Sequence, residues 1–146
     1  MELNNPLLLP WRARSWKGQL CNDAEPSLCT FVTPEMGYRA AWIWLDNLHY
    51  HLTRHAKPFC LRSIVQAWYR GDRSKKSIVR RIAKLSDLDP DEILKAPPLD
   101  AARFCDLVAA LTAEGQHIFL HQVDYCALRT GFKLAFGHTT GTDLVV

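Results

Sequence analysis

Apolar residues recur along this chain with the period of an amphipathic helix at several places, and irregular polar stretches separate them. Thr33-Pro34-Glu35 reads as a helix start: a hydroxyl N-cap, a proline where the backbone N–H has no partner, and an acid at the positive end of the dipole. Behind it Tyr38, Ala41, Leu45, Leu48 and Leu52 keep helical spacing, while Trp42, Ile43 and Trp44 make other faces apolar. The pattern predicts a long central helix, covered on most sides and ended by Lys57-Pro58. Leu61, Ile64, Val65 and Trp68 predict a shorter helix to about Tyr69, broken by Gly71. From Ser74 to about Ser86 the inner stripe is Ile78, Val79, Ile82 and Leu85, and Arg73, Lys76, Arg80 and Lys84 line another face. Asp89-Pro90-Asp91-Glu92 predicts a brief helix ended by Pro97-Pro98. Asp100 caps a further helix with Phe104, Leu107, Val108 and Leu111 inward, stopping at Gly115. A last helix over about 121–135 carries Val123, Ala127 and Leu128.

Before Thr33 the pattern lapses. Pro6, Pro10 and Pro26 interrupt the chain, Trp11 and Trp16 stand among polar residues, and Leu28 to Val32 is short and β-prone. The expectation is a mainly α protein: one domain over 1–136 with about five to six helices around a central apolar helix. An irregular N-terminal segment or small β-hairpin precedes them, and a flexible tail over 137–146 follows. A length of 146 residues suits one core. With 48% hydrophobic and 23% charged residues, the composition excludes a chain too polar to fold. No run approaches the ~18 apolar residues of a membrane span, and no basic segment leads into a signal-like apolar stretch. Synthesis in the cytoplasm and no membrane partner are expected. Five cysteines, odd in number and without a CxxC pair, are expected as reduced thiols. Neither a metal nor a cofactor is expected. His51 and His55 share a helix face, and His49 lies close by, but no HExxH motif or supporting ligand accompanies them.

Two features carry candidate chemistry. Glu114 lies three residues beyond Leu111 and seven beyond Leu107, so it extends the buried stripe to the helix end. Partial burial and the negative end of the dipole both favour a protonated carboxyl there, the state a glycosidic general acid requires. The same spacing fits an ordinary helix-terminal glutamate held by a lysine or a backbone N–H. The second feature is basic: Arg70, Arg73, Lys75, Lys76, Arg80, Arg81 and Lys84 fall within one stretch whose sole acid is Asp72. Such a face binds phosphates without sequence preference, or is simply solvated. The net charge of +3 alone does not decide between them. No set of Asn, Gln or Arg at a helix start is arranged to read bases.

Asn4-Asn5-Pro6-Leu7, Trp16-Lys17-Gly18-Gln19, the stretch from Phe31 through Gly37 to Arg39-Ala40, and Trp68 follow one another in a distinctive order. Together they resemble a small phage and prophage family, usually described as structural or virion proteins. Its signature runs NNPxNIR, W-x-G-Q, F-x-x-x-x-x-G-x-R-A, then a helix ending near a tryptophan. The resemblance extends from Asn4 to about Glu114 and includes Leu88 to Asp91 and Leu107 to Leu111. It implies a rearranged lysozyme-like fold with a catalytic glutamate at a helix end. On that implication Glu114 is the general acid, Asn4 and Asn5 lie near substrate, and Tyr38 and Trp42 stack on sugars unless they are core aromatics. Glu35 or Asp46 would be the second carboxylate. Three departures stand out: Leu8-Leu9-Pro10 replaces Asn-Ile-Arg, Gly115-Gln116 replaces Asn-Gly after the glutamate, and a basic connector, Tyr69 to Ser74, follows the tryptophan.

The implied activity is to bind or cleave peptidoglycan glycan, as a glycoside hydrolase or lytic transglycosylase. The alternative is a non-enzymatic virion or interaction protein whose partner is a phage structural protein or a polyanion such as nucleic acid. The polyanion would be held through Arg73, Lys76, Arg80 and Lys84. Either form is expected in the virion or released on lysis. A Glu114 that acts only as an acid would be replaceable by Gln with loss of cleavage and little change in thermal midpoint.

Overall fold

The computed structural model describes residues 3–10, 16–20 and 28–137, and these are mainly helical. A two-stranded antiparallel hairpin, β1 (Gln19–Leu20) and β2 (Thr30–Phe31), precedes five helices. These are α1 (Pro34–Arg54), α2 (Leu61–Trp68), α3 (Lys75–Ser86), α4 (Ala101–Gln116) and α5 (Tyr125–Phe136). Trp11, Cys21, Pro26 and the expected tail beyond Gly137 lie outside the described residues. No described helix is long and apolar enough to cross a membrane.

The motifs ahead of α1 build a strap that closes one end of the helices. Gly18 takes φ +79° in the turn leading into β1, and the Gln19 side chain accepts from Trp16 N at 3.0 Å. Asn5 is buried: its Nδ2 donates to the carbonyls of Leu9 and Cys29, and its Oδ1 accepts from Leu9 N. Asn4 Nδ2 donates to Phe31 O at 3.0 Å. The Asn4 carbonyl lies directly against Gly37 of α1, where a Cβ would collide with it, so the glycine is required by close approach. Trp68 Nε1 donates to Leu7 O at 2.7 Å, and Gln116 Nε2 donates to Asn5 O and Pro6 O. The strap is thereby tied to α1, α2 and α4 at once.

The helix starts follow local rules. Thr33 caps α1 by accepting from Met36 N, and Asp124 caps α5 by accepting from Ala127 N. The central position, however, belongs to α4. Every residue from Leu107 to Glu114 is buried, and the small Ala109, Ala110 and Ala113 let neighbours approach on several sides. The expected central helix, α1, buries Tyr38, Ala41, Trp42 and Leu45 on one face and leaves Asn47, Tyr50, His51 and Arg54 in water. Its partner is α5, where Gly131 admits the α1 backbone and Phe132 meets Trp42 edge-on at 4.9 Å.

Residues 89–96 form a turn and an extended stretch rather than the brief helix expected. Asp89 Oδ1 accepts from Asp91 N, Leu94 N donates to Phe59 O, and Arg62 grips Asp91 through two hydrogen bonds. A few residues before two prolines cannot repay helix nucleation against those contacts. Gly115 likewise does not stop α4. The helix continues to Gln116, and His117 takes the left-handed cap at φ +57°. Gly115 instead clears the Trp68 ring, which a Cβ would approach to 3.1 Å.

Tyr38 joins α1 to α4 by donating its hydroxyl to Thr112, whose own hydroxyl donates to Val108 O. Burial raises the Tyr38 phenol from 10.0 to about 12. The folded state therefore holds this proton more tightly than the unfolded chain, and stability falls as pH rises from about 10 towards 12. Tyr38→Phe should cost ~1 kcal/mol at neutral pH, from the lost hydrogen bond. The difference from wild type should reverse by pH 12, since the variant escapes a loss of ~2 kcal/mol. Urea unfolding at both pH values checks this; a gap that stays constant would refute it.

Candidate functional site

Glu114 lies in the last turn of α4, where the buried stripe carries it inward, and its side chain is only 2% exposed. A carboxylate withdrawn this far from water needs compensating charge. Arg73 Nη2 donates to Oε2 at 2.9 Å, and Arg81 Nε donates to Oε1 at 2.9 Å. Arg81 comes from α3, which packs along α4, and Arg73 from the connector between α2 and α3. Both arginine side chains keep about half their surface in water, at 48% and 54% exposed. The desolvation cost therefore falls mainly on one group, while both its oxygens gain charge-assisted hydrogen bonds.

The connector is shaped to deliver Arg73. The Tyr69 ring lies over Gly71, where any side chain would meet its hydroxyl, and that hydroxyl accepts from Arg73 N at 3.2 Å. Lys75 Nζ donates to Gln66 O, and Arg70 Nη1 reaches Trp68 O at 3.4 Å. Between this connector, the Leu7-Leu8 turn and the end of α4 lies a cleft of about 470 Å3. The part-exposed Tyr69 lines it in front of the buried Trp68, and Arg70, Asp72 and Glu114 supply polar groups.

The other expected site residues fall elsewhere. Trp42 is fully buried, with Nε1 donating to Leu128 O, so it offers no face to a sugar. Tyr38 is 3% exposed and its hydroxyl is engaged by Thr112. Asn4, Asn5 and Tyr38 border a separate recess of about 620 Å3 that Glu114 does not line. Each also holds a hydrogen bond within the fold. Neither Glu35 nor Asp46 lines the Glu114 cleft; the carboxylate that shares it is Asp72.

A general acid must carry a proton and aim it at a substrate oxygen. Each Glu114 oxygen is instead an acceptor from a fixed positive charge, so in this arrangement the residue fastens α4 to α3 and to the connector. Sequence reasoning missed both partners. The signal was present for Arg81, which follows Ile78 by three residues and so sits at the edge of the buried stripe of α3.

Arg73 is thus removed from the basic face, and Lys76, Arg80 and Lys84 remain. They are exposed at four-residue intervals on α3, a helix without a single acid, and no ion pair engages them among the described residues. The His51 and His55 rings lie 4.8 Å apart at the exposed end of α1, while His49 meets Phe59 edge-on. No group of three or more His, Cys, Asp or Glu is placed to hold a metal among the described residues.

Comparison with protein-family models finds no match for this chain, and comparison with curated proteins finds none either.

Glu114→Gln should lower stability by ~1 to 3 kcal/mol, because the stranded guanidinium groups can return to water. Removing Arg73 and Arg81 together should cost more, ~3 to 5 kcal/mol, because the buried carboxylate then has no counter-charge. Urea denaturation at pH 7 ranks the variants. A Glu114→Gln variant as stable as wild type would show that the ion triad fastens nothing.

Proposed function

We propose that this chain is a phage-derived, lysozyme-like protein that binds a peptidoglycan-type glycan in the cleft beside Glu114, and that binding rather than hydrolysis is its activity. The observation that supports this reading is the make-up of the cleft. It sets the part-exposed Leu8 and Tyr69, backed by the buried Leu7 and Trp68, against a rim of Arg70 and Asp72. A pyranose ring presents C–H faces to such side chains and hydroxyls to such a rim, and about 470 Å3 lies within the range of ligand sites. The paired state of Glu114 favours binding over cleavage, since both carboxylate oxygens are committed to arginines.

Isothermal titration with soluble peptidoglycan glycan fragments should show saturable binding by wild type. Arg70→Ala/Asp72→Ala should abolish it without moving the thermal midpoint, since both residues are exposed. Turbidity of a peptidoglycan suspension should stay constant. Clearing that vanishes in Glu114→Gln would restore the acid role and overturn the binding-only reading; absence of any binding would overturn the cleft itself.

A second reading is favoured by the stripe on α3. Lys76, Arg80 and Lys84 recur every ~6 Å along the helix axis. Lys75 and Lys76 also open the helix with no acid in its first turn, against the preference of the dipole. Unpaired cations in a locally unfavourable place suit a polyanion partner. Mixed-sequence duplex DNA should bind with a log–log salt slope reduced by ~2 to 3 when all three are changed to Glu. An unchanged slope would dispose of this reading.

A further inference from the structure

The exposed end of α1 carries a pair of side chains that the fold does not use. His51 stands in the last turn, and His55 caps it, its backbone N–H donating to the carbonyls of His51 and Leu52. Both residues are exposed, and among the described residues neither ring takes part in a hydrogen bond or an ion pair. The rings meet each other instead, 4.8 Å between centroids and 60° between planes. Arg54, the cation between them in sequence, is held over the Tyr50 ring at 5.8 Å.

That separation is the one a shared metal ion imposes. Residues four apart lie on one helix face, a turn above one another. A zinc- or copper-like ion binds imidazole nitrogen at ~2.0 Å, which puts each ring centre ~3.2 Å from it; two rings meeting there at ~90° to ~110° have centres ~4.5 to ~5.2 Å apart. The observed 4.8 Å falls inside that interval. The place suits a cation as well, since α1 runs for 21 residues and the C-terminal end of its dipole is negative.

We propose that His51 and His55 form a two-point site for a divalent transition-metal ion such as Ni2+, Zn2+ or Cu2+. Imidazole is a ligand these ions share, whereas Mg2+ and Ca2+ take oxygen and pass the pair by. No third His, Cys, Asp or Glu joins the two among the described residues, so water fills the remaining positions and the ion exchanges readily. While bound, it closes a ring between the last turn of α1 and its cap, which stabilises the folded chain. The site shares no residue with the cleft beside Glu114 or with the α3 stripe, and it is independent of both readings of function.

The test is calorimetric titration of Ni2+ into wild type, His51→Gln, His55→Gln and His121→Gln, with Mg2+ as the reference ion. Either α1 variant should bind Ni2+ about a hundredfold more weakly than wild type, since the second point of attachment is lost. His121→Gln, a change at an exposed histidine outside α1, should bind as wild type does. Without metal all four should share one thermal midpoint, and Ni2+ should raise it only in wild type and His121→Gln. Binding that neither α1 variant weakens would place the ion elsewhere and overturn the site. Loss in only one of the two would reveal a single ligand and overturn the chelate. No Ni2+ binding by wild type, or Mg2+ binding of equal strength, would overturn the proposal outright.

Discussion

A carboxylate taken out of water at the end of α4 must be met by positive charge, and much of the arrangement around it follows from that need. Glu114 draws Arg81 from α3 and Arg73 from the connector, so α3 is held against α4 by packing on one side and by an ion pair at the edge. The connector cannot take an arbitrary path. Tyr69 folds over Gly71 and accepts from the backbone of Arg73, which sets the turn that delivers the guanidinium. The same path brings Tyr69 to the cleft. An isolated buried ion pair is weak evidence for stability, because desolvation offsets attraction. Here the balance is better, since only the carboxylate loses its water.

The N-terminal strap solves a different problem. Eight residues with little regular structure close one end of a helical core, which leaves backbone donors and acceptors to be satisfied. Asn5 does so with three hydrogen bonds from one side chain, and Trp68 and Gln116 reach in from α2 and α4. Gly37 lets the Asn4 carbonyl lie on α1. Asn4-Asn5-Pro6, Trp16 to Gln19, Gly37 and Trp68 therefore meet in one structural knot. They specify how the end of the fold is closed; the cleft borders that knot through Leu7 and Leu8.

Helices with a strong cap and a clean stripe were legible to within a few residues: Thr33-Pro34 opens α1, Ser74 precedes α3 and Asp100 precedes α4. Periodicity could not rank them by depth. Large aromatics made α1 look central, but depth is set by how many neighbours can approach, and the alanines of α4 permit more of them. The segment 89–96 was misread because its acids and proline match a helix start, while the contacts that extend it, Phe59 and Arg62, come from about thirty residues earlier. At the site, the inward direction of Glu114 was legible from spacing alone. Of its partners, Arg81 carried a signal at the edge of the α3 stripe, while Arg73, in the connector, looks in sequence like any exposed arginine.

The magnitudes also bear on what Glu114 can do. To serve as an acid it would have to part from both arginines. Separating them would leave a carboxylate that is 2% exposed without counter-charge, and that is costly. A ligand shifts such an equilibrium only by its difference in affinity for the two states. A neutral saccharide offers hydroxyls, which accept from guanidinium groups but bring no charge to replace the carboxylate. The proposed glycan reading therefore requires only that the triad stay closed beside the cleft. The inward direction that makes Glu114 conspicuous in the sequence is thus met, in the folded chain, by one arginine at each carboxylate oxygen.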